Sequence, residues 1–149
     1  GVGKTTTAAA MLACLHRRGA RVLGVDMDPQ GSLGFSLGLD IDRCATLYDV
    51  FRGSAEPAEI LIPTETCDML PSNILLASAE LEFNRPGREY LLKTALSKVA
   101  DNYDFIVIDT PPALGLLTVN AYVATDQLLI PMAPEVLSLL GVSVFGTVG

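Results

Sequence analysis

Cysteine is scarce in this sequence, aromatic residues are few, and cationic residues are outnumbered by acidic ones. Each shortage excludes something. The three cysteines, Cys14, Cys44 and Cys67, are far apart and odd in number. No pair has the short spacing of a zinc or thioredoxin-type site, so reduced, partly buried thiols are expected, which points to the cytoplasm. Ten Lys and Arg against seventeen Asp and Glu give a formal net charge of -7, so the chain lacks the overall basic character of a nucleic-acid-binding domain. A small local basic patch, or one outside these residues, stays compatible with that balance. The longest uncharged stretch, Thr110 to Thr125, holds Pro111, Pro112 and Asn120 and is too short to span a bilayer, so no membrane partner is expected. No secretory signal, internal repeat, linker or low-complexity tract is visible.

What the chain does have is aliphatic. Half of its 149 residues are hydrophobic and only 6% are aromatic, a mix suited to buried aliphatic strands covered by helices. The length fits one domain, residues 1–149, with a single large core. Both ends read as cut: Gly1 opens inside a motif, and Thr147-Val148-Gly149 fall within what reads as a helix. The expectation is a fragment of a longer protein, lacking the first strand of its sheet and the C-terminal part.

Helical and strand-like patterns alternate along the chain. Ala8, Met11, Leu12 and Leu15 recur at helix spacing between Thr5 and about Arg18, and His16-Arg17-Arg18-Gly19 forms a cationic stop. Arg21 to Val25 is a short apolar strand ending at Asp26, and the glycine-rich stretch Asp28 to Gly38 reads as a loop. Ala45 to Arg52, Ala77 to Phe83, Gly87 to Ala100, Thr118 to Ala124 and the run from Glu135 onward read as helices. Met69-Leu70, Phe105 to Ile108 and Gln127 to Pro131 read as strands. Apolar strands that each lead into a polar loop and then a helix predict an α/β fold, mostly parallel, with helices on both faces. Ligands of such sheets bind beyond the carboxyl ends of the strands, where Asp26, Asp28 and Asp109 all fall.

The opening Gly1-Val2-Gly3-Lys4-Thr5-Thr6-Thr7 carries the strongest chemical signal. A phosphate needs several backbone N–H groups pointing inward, and glycine lets the chain turn tightly enough to supply them. The helix starting near Lys4 adds its N-terminal donors and dipole. Lys4 can reach the β- and γ-phosphates, and the Thr5 hydroxyl can hold Mg²⁺. The competing reading is a glycine-rich turn before a helix whose Lys and Thr face solvent.

Two acidic strand tips follow. Val22-Leu23-Gly24-Val25-Asp26-Met27-Asp28-Pro29-Gln30 places two carboxylates two residues apart, with a turn at Pro29 expected to split their directions. One of them can position the attacking water in phosphoryl transfer; capping of a loop or helix is the plainer use. Phe105-Ile106-Val107-Ile108-Asp109 has the form of a Walker B strand, with Asp109 available to Mg²⁺ directly or through its water. Thr110-Pro111-Pro112 then makes a stiff bend suited to sensing a γ-phosphate.

In this order, GVGKTTT, VDMDPQGSLG, FIVIDTPPALGLLTVNA and then a strand ending in Pro131, the sequence resembles the ParA/Soj family of deviant Walker A P-loop ATPases over essentially its full length. The resemblance implies a P-loop NTPase-type fold. It implies that Gly1, Val2, Gly3, Lys4, Thr5 and Thr6 cradle the phosphates of ATP. Thr5, Asp26 and Asp109 then support Mg²⁺ and its water shell, and Asp28, with Lys4, serves hydrolysis. Members are weak ATPases that dimerise face to face when ATP-bound. The homodimer binds DNA without sequence preference, and a ParB-type centromere-binding protein stimulates hydrolysis to ADP and phosphate, so the cycle partitions chromosomes or plasmids in the nucleoid-associated cytoplasm. The family's signature lysine, its adenine-binding segment and its DNA-contacting basic residues are expected outside this chain. Two alternatives stand beside this reading: a related ParA/MinD-like ATPase positioning another cargo, and a nucleotide-binding scaffold without turnover.

The remaining polar residues have plainer readings. His16, Arg17, Arg18 and Arg21 read as helix-end charge, and Glu80, Glu82 and Glu89 as a solvated face. Arg85 and Arg88 stay open between solvated charge and partner contact. Tyr48, Phe51, Phe83, Tyr90 and Phe105 read as core or rim rather than base-stacking groups.

Overall fold

The computed structural model describes residues 3–129 and 142–146, the side chains through residue 127 only. Helix α1 (Lys4–Arg17) leads into strand β1 (Val22–Asp26), and a short helix α2 (Ser32–Ser36) follows the strand tip. After a 3-10 turn come α3 (Leu47–Phe51), α4 (Pro57–Ile60), β2 (Ile62–Pro63) and β3 (Asp68–Leu70). Next are α5 (Ala79–Glu82), α6 (Leu91–Ser97), β4 (Phe105–Asp109), α7 (Leu116–Val123), β5 (Gln127–Leu129) and β6 (Val142–Gly146).

Among the described residues six strands form one sheet in the order β2-β3-β1-β4-β6-β5. Its centre, β3-β1-β4, is parallel, as expected of strands joined through helices. Its flanks are antiparallel: β2 on β3, and β6 on both β4 and β5, so the sheet as a whole is mixed. The register of β1 on β4 runs from Val22 opposite Phe105 to Asp26 opposite Asp109, which brings the two acidic tips to the same edge.

Alternation along the strands divides the core between the two faces. Leu23, Val25, Leu70, Ile106 and Ile108 face the larger apolar cluster, with Leu47, Phe51, Leu92, Leu96 and Ala121 from α3, α6 and α7. Val22, Met69 and Val107 face the other side, against Ala8 and Leu12 of α1 and Leu33 of α2. Gly24 makes that second contact close: a Cβ there would lie 2.4 Å from Met69 Sδ and 3.0 Å from Leu12 Cδ1. Tyr48, Phe51 and Phe83 are in the core, while Tyr90 and Phe105 lie partly exposed at its rim, as their composition-based reading anticipates.

Several elements differ from expectation. The stretch read as an open loop carries α2, because the Asp26 carboxylate accepts from the amides of Leu33 and Gly34 and so supplies the cap that the local sequence lacks. The helices expected over 77–83 and 87–100 begin with 3-10 turns, Ile74–Ser78 and Arg88–Tyr90, before α5 and α6. Residues 142–146 form β6 rather than a continuing helix; Val142, Val144 and Phe145 are β-branched or aromatic and favour extended backbone. The rest of the predicted helix from Glu135, and the strand end at Pro131, lie outside the described residues. Among the described residues no helix is long and apolar enough to cross a membrane.

Candidate nucleotide and magnesium site

Gly3 takes a left-handed conformation (φ 84°) at the N-cap of α1, and its carbonyl accepts the Thr7 amide at 2.8 Å, so the helix starts directly from the turn. α1 therefore presents its N-terminal amides without a side-chain cap occupying them. Lys4 is buried, Thr5 is half-buried, and Thr6 is exposed on the same turn. Gly1 and Val2, also expected in the phosphate cradle, lie outside the described residues.

The Thr5 hydroxyl donates to Asp109 Oδ2 at 2.8 Å, joining the first turn of α1 to the tip of β4 across 104 residues of sequence. Asp109 Oδ1 is buried and has no hydrogen-bond partner, while its backbone carbonyl accepts the Met27 amide at 2.8 Å. Burial pushes the Asp109 carboxyl up to about 6; the Thr5 hydrogen bond and the Lys4 charge work against that, and Asp28 adds to it. Asp26 is fully buried and is pushed up to about 7, first by burial and then by the Asp109 charge, despite amide donors from Asp28 and Gly34. The charges of Asp28 and Lys4 thus reach Asp109, and those of Asp109 and Asp28 reach Asp26.

The turn after β1 does split the two carboxylates. Asp26 Oδ1 accepts the Asp28 amide at 3.0 Å and Asp26 Oδ2 accepts from Leu33, whereas Asp28 Oδ1 accepts the Gln30 amide at 2.9 Å. Both acids therefore cap the loop that follows β1, the plainer of the two uses read from the sequence. The half-buried Asp28 is held from below by Ser72, whose buried hydroxyl donates to the Asp28 carbonyl at 2.6 Å. A cleft of about 340 Å³ opens beside it, lined by Asp28–Gln30, by residues between Ile74 and Glu80 and by Pro111–Thr118.

The donor set fits Mg²⁺. A buried carboxylate oxygen without a partner, a hydroxyl on the other oxygen of the same group and a second buried carboxylate across the strand pair are hard oxygen donors that a small divalent cation would satisfy. Among the described residues no three His, Cys, Asp or Glu side chains converge to hold a metal alone. That is the usual arrangement for Mg²⁺, which keeps waters and takes further ligands from substrate phosphates.

Sequence reasoning missed the partners of three residues here. Ser72 carries no local signal, because its role depends on contact with Asp28 from 44 positions away. Glu80 and Glu82, read as a solvated face, have specific partners: Glu80 accepts the Leu116 amide and Glu82 accepts the Tyr48 hydroxyl at 2.7 Å. Arg21 immediately precedes β1 rather than ending a helix and pairs with Asp104 at 3.0 Å on an exposed surface, and Arg85 donates to the Phe51 carbonyl. The three cysteines are free thiols, with only Cys67 buried.

A glycine turn opening a helix, with a threonine hydroxyl on the carboxylate of a Walker B-type strand tip, defines a P-loop nucleotide-binding α/β core. A family model described as an AAA domain matches residues 1–148. The sporulation initiation inhibitor protein Soj of Bacillus subtilis (strain 168) is 46% identical over 149 residues, which covers 96% of this chain and 58% of that protein. The chromosome partitioning protein ParA of Myxococcus xanthus is 44% identical over 147 residues, covering 96% of this chain and 52% of its own length. Among solved structures, cobyrinic acid a,c-diamide synthase from Mycobacterium smegmatis with a bound ATP analogue and magnesium superposes with a TM-score of 0.81 at 48% identity, over 83% of this chain and 51% of that one. The chain belongs to the AAA domain family and is similar to the Soj and ParA proteins over nearly all of its own length. It spans just over half the length of these relatives.

Proposed function

We propose that this chain is the nucleotide-binding core of a ParA-type ATPase that acts as an ATP-dependent switch in chromosome or plasmid partition. The single observation that carries this reading is the Thr5 hydroxyl on the Asp109 carboxylate, with buried Asp26 in register beside it. Lys4 and the amides at the start of α1 bind the β- and γ-phosphates. Thr5 and Asp109 hold Mg²⁺, backed by Asp26, and the ion neutralises phosphate charge when bound. Asp28 orients a water in line with the γ-phosphorus. Its oxygen bonds to phosphorus as the bond to the β–γ bridging oxygen breaks, giving ADP and phosphate.

The similarity to Soj and ParA supports the wider cycle: an ATP-bound homodimer, duplex DNA bound without sequence preference, and a ParB-type centromere-binding partner that accelerates hydrolysis. The setting is the cytoplasm, on the nucleoid. With a net charge of -7 on these residues, DNA contacts call for a local basic patch here or basic residues elsewhere in the intact protein. The test uses the intact protein and random duplex DNA. Retention that requires ATP and weakens steeply with salt, together with turnover stimulated by the partner, supports the reading. Retention of a protein cargo with no DNA binding favours the related cargo-positioning ATPase instead, and ATP binding without any hydrolysis favours a scaffold.

A further inference from the structure

α7 starts without a cap of its own, since Gly115 occupies the N-cap position and offers no side chain. The cap comes from a different helix. The Leu116 amide donates to Oε1 of Glu80, on α5, at 2.6 Å, placing a carboxylate at the positive end of α7. Gly115 is extended (φ -176°), a conformation open to any residue, so its backbone does not require glycine. A Cβ at position 115 would lie 2.5 Å from Glu80 Oε1 and 3.3 Å from its carboxyl carbon, so a side chain there would push the exposed Glu80 carboxylate aside. Next to this, the Thr118 hydroxyl donates to the Ala113 carbonyl at 2.7 Å.

The segment Thr110–Gly115 therefore runs between two fixed points, the tip of β4 at Asp109 and the Glu80 contact at the start of α7. Two consecutive prolines stiffen it, so a shift at one end is carried to the other. Glu80 and Asp28 line the same cleft.

We propose that Glu80 is a positioning residue for hydrolysis: it holds the far end of Thr110–Gly115 so that Thr110-Pro111-Pro112 keeps its place beside Asp109 and Asp28. It acts through the loop and touches no reacting atom. The role rests on the ATPase reading above.

The experiment compares the intact protein with its Glu80→Ala, Glu80→Gln and Gly115→Ala variants, measuring kcat and KM for ATP, ADP affinity and amide hydrogen exchange at Leu116. Glu80→Ala is expected to lower kcat about three- to tenfold, the scale of one ordinary hydrogen bond, and to leave KM and ADP affinity within about twofold. Exchange at Leu116 speeds up in the same variant. Glu80→Gln keeps an acceptor oxygen and recovers most of both losses. Gly115→Ala displaces the carboxylate and behaves like Glu80→Ala, and the double variant is no worse than either single one. Faster exchange with unchanged kcat, a parallel fall in ADP affinity, or a glutamine variant no better than alanine overturns the proposal. A failure of the ATPase reading is seen separately, as absence of turnover in the unsubstituted protein, and removes this role with it.

Discussion

Asp26 and Asp109 are direct Cα partners at the last position of the parallel pair β1–β4, and both are buried. Burial disfavours ionisation in both, and the Asp109 charge disfavours it further in Asp26. A divalent cation reverses that preference, so the protein without Mg²⁺ and the protein with it should respond to pH in opposite senses.

In the metal-free folded chain the two carboxyls sit at about 7 and about 6, against 3.8 when unfolded. Between these values the folded state holds protons that the unfolded state has released. The stability they contribute is present below about pH 4 and is lost as pH rises through 6 to 7, by up to about 1.4 kcal/mol per pH unit for each group. Thermal melting of the metal-free protein from pH 5 to pH 8 should show this decline, and Asp109→Asn should flatten it. Addition of Mg²⁺ with nucleotide should raise the melting temperature more at pH 8 than at pH 5. A metal-free melting curve that rises over this range contradicts the assignment.

Lys4 and Asp28 should separate binding from chemistry. Lys4→Ala removes the buried cation at the start of α1 and should abolish nucleotide binding, read by titration calorimetry. Asp28→Ala should bind ATP within a few-fold of the parent and lose hydrolysis by about 10²-fold or more, leaving the protein in its ATP state. Normal hydrolysis by Asp28→Ala would remove Asp28 from its role.

Much of this arrangement is legible in the sequence because it is local. The glycine turn, the helix start at Lys4 and the apolar runs ending in Asp26 and Asp109 each lie within a few consecutive residues, and chain periodicity reports them directly. α2 was not legible, since its cap, Asp26, comes from before a turn and its five residues show no full apolar period. Glu80 and Ser72 were hidden for the same reason on a longer scale: their partners, Leu116 and Asp28, are 36 and 44 positions away. Strand β6 was misread because Val142, Val144 and Phe145 continue an apolar stretch whose period does not separate helix from strand.

Ser72→Ala should loosen the Asp28 loop without disturbing the core. It deletes the 2.6 Å hydrogen bond to the Asp28 carbonyl and should cost about 1–2 kcal/mol of stability by denaturant titration. Turnover should fall while ADP affinity holds, because the loop that carries the water-orienting acid is displaced and the phosphate turn is not. Unchanged turnover would show that the Asp28 loop is held elsewhere.

Gly24→Val tests the packing that places α1. The added carbons meet Met69 Sδ and Leu12 Cδ1, and overpacking of this kind costs roughly 1–3 kcal/mol. Because α1 carries Lys4 and Thr5, its displacement from the sheet should weaken ATP binding along with stability. Weakened stability with full ATP affinity would mean that the first turn of α1 is anchored independently of its packing.

Thr5 and Asp109 would hold the magnesium between them, and the most direct measurement of this is ATP affinity with and without Mg²⁺ in the parent and in Asp109→Asn. The parent should bind ATP at least about tenfold more tightly with Mg²⁺, and the nearly isosteric asparagine should lose most of that increment while keeping its metal-free affinity. Equal affinities with and without Mg²⁺ in the parent, or an undiminished increment in Asp109→Asn, would contradict it.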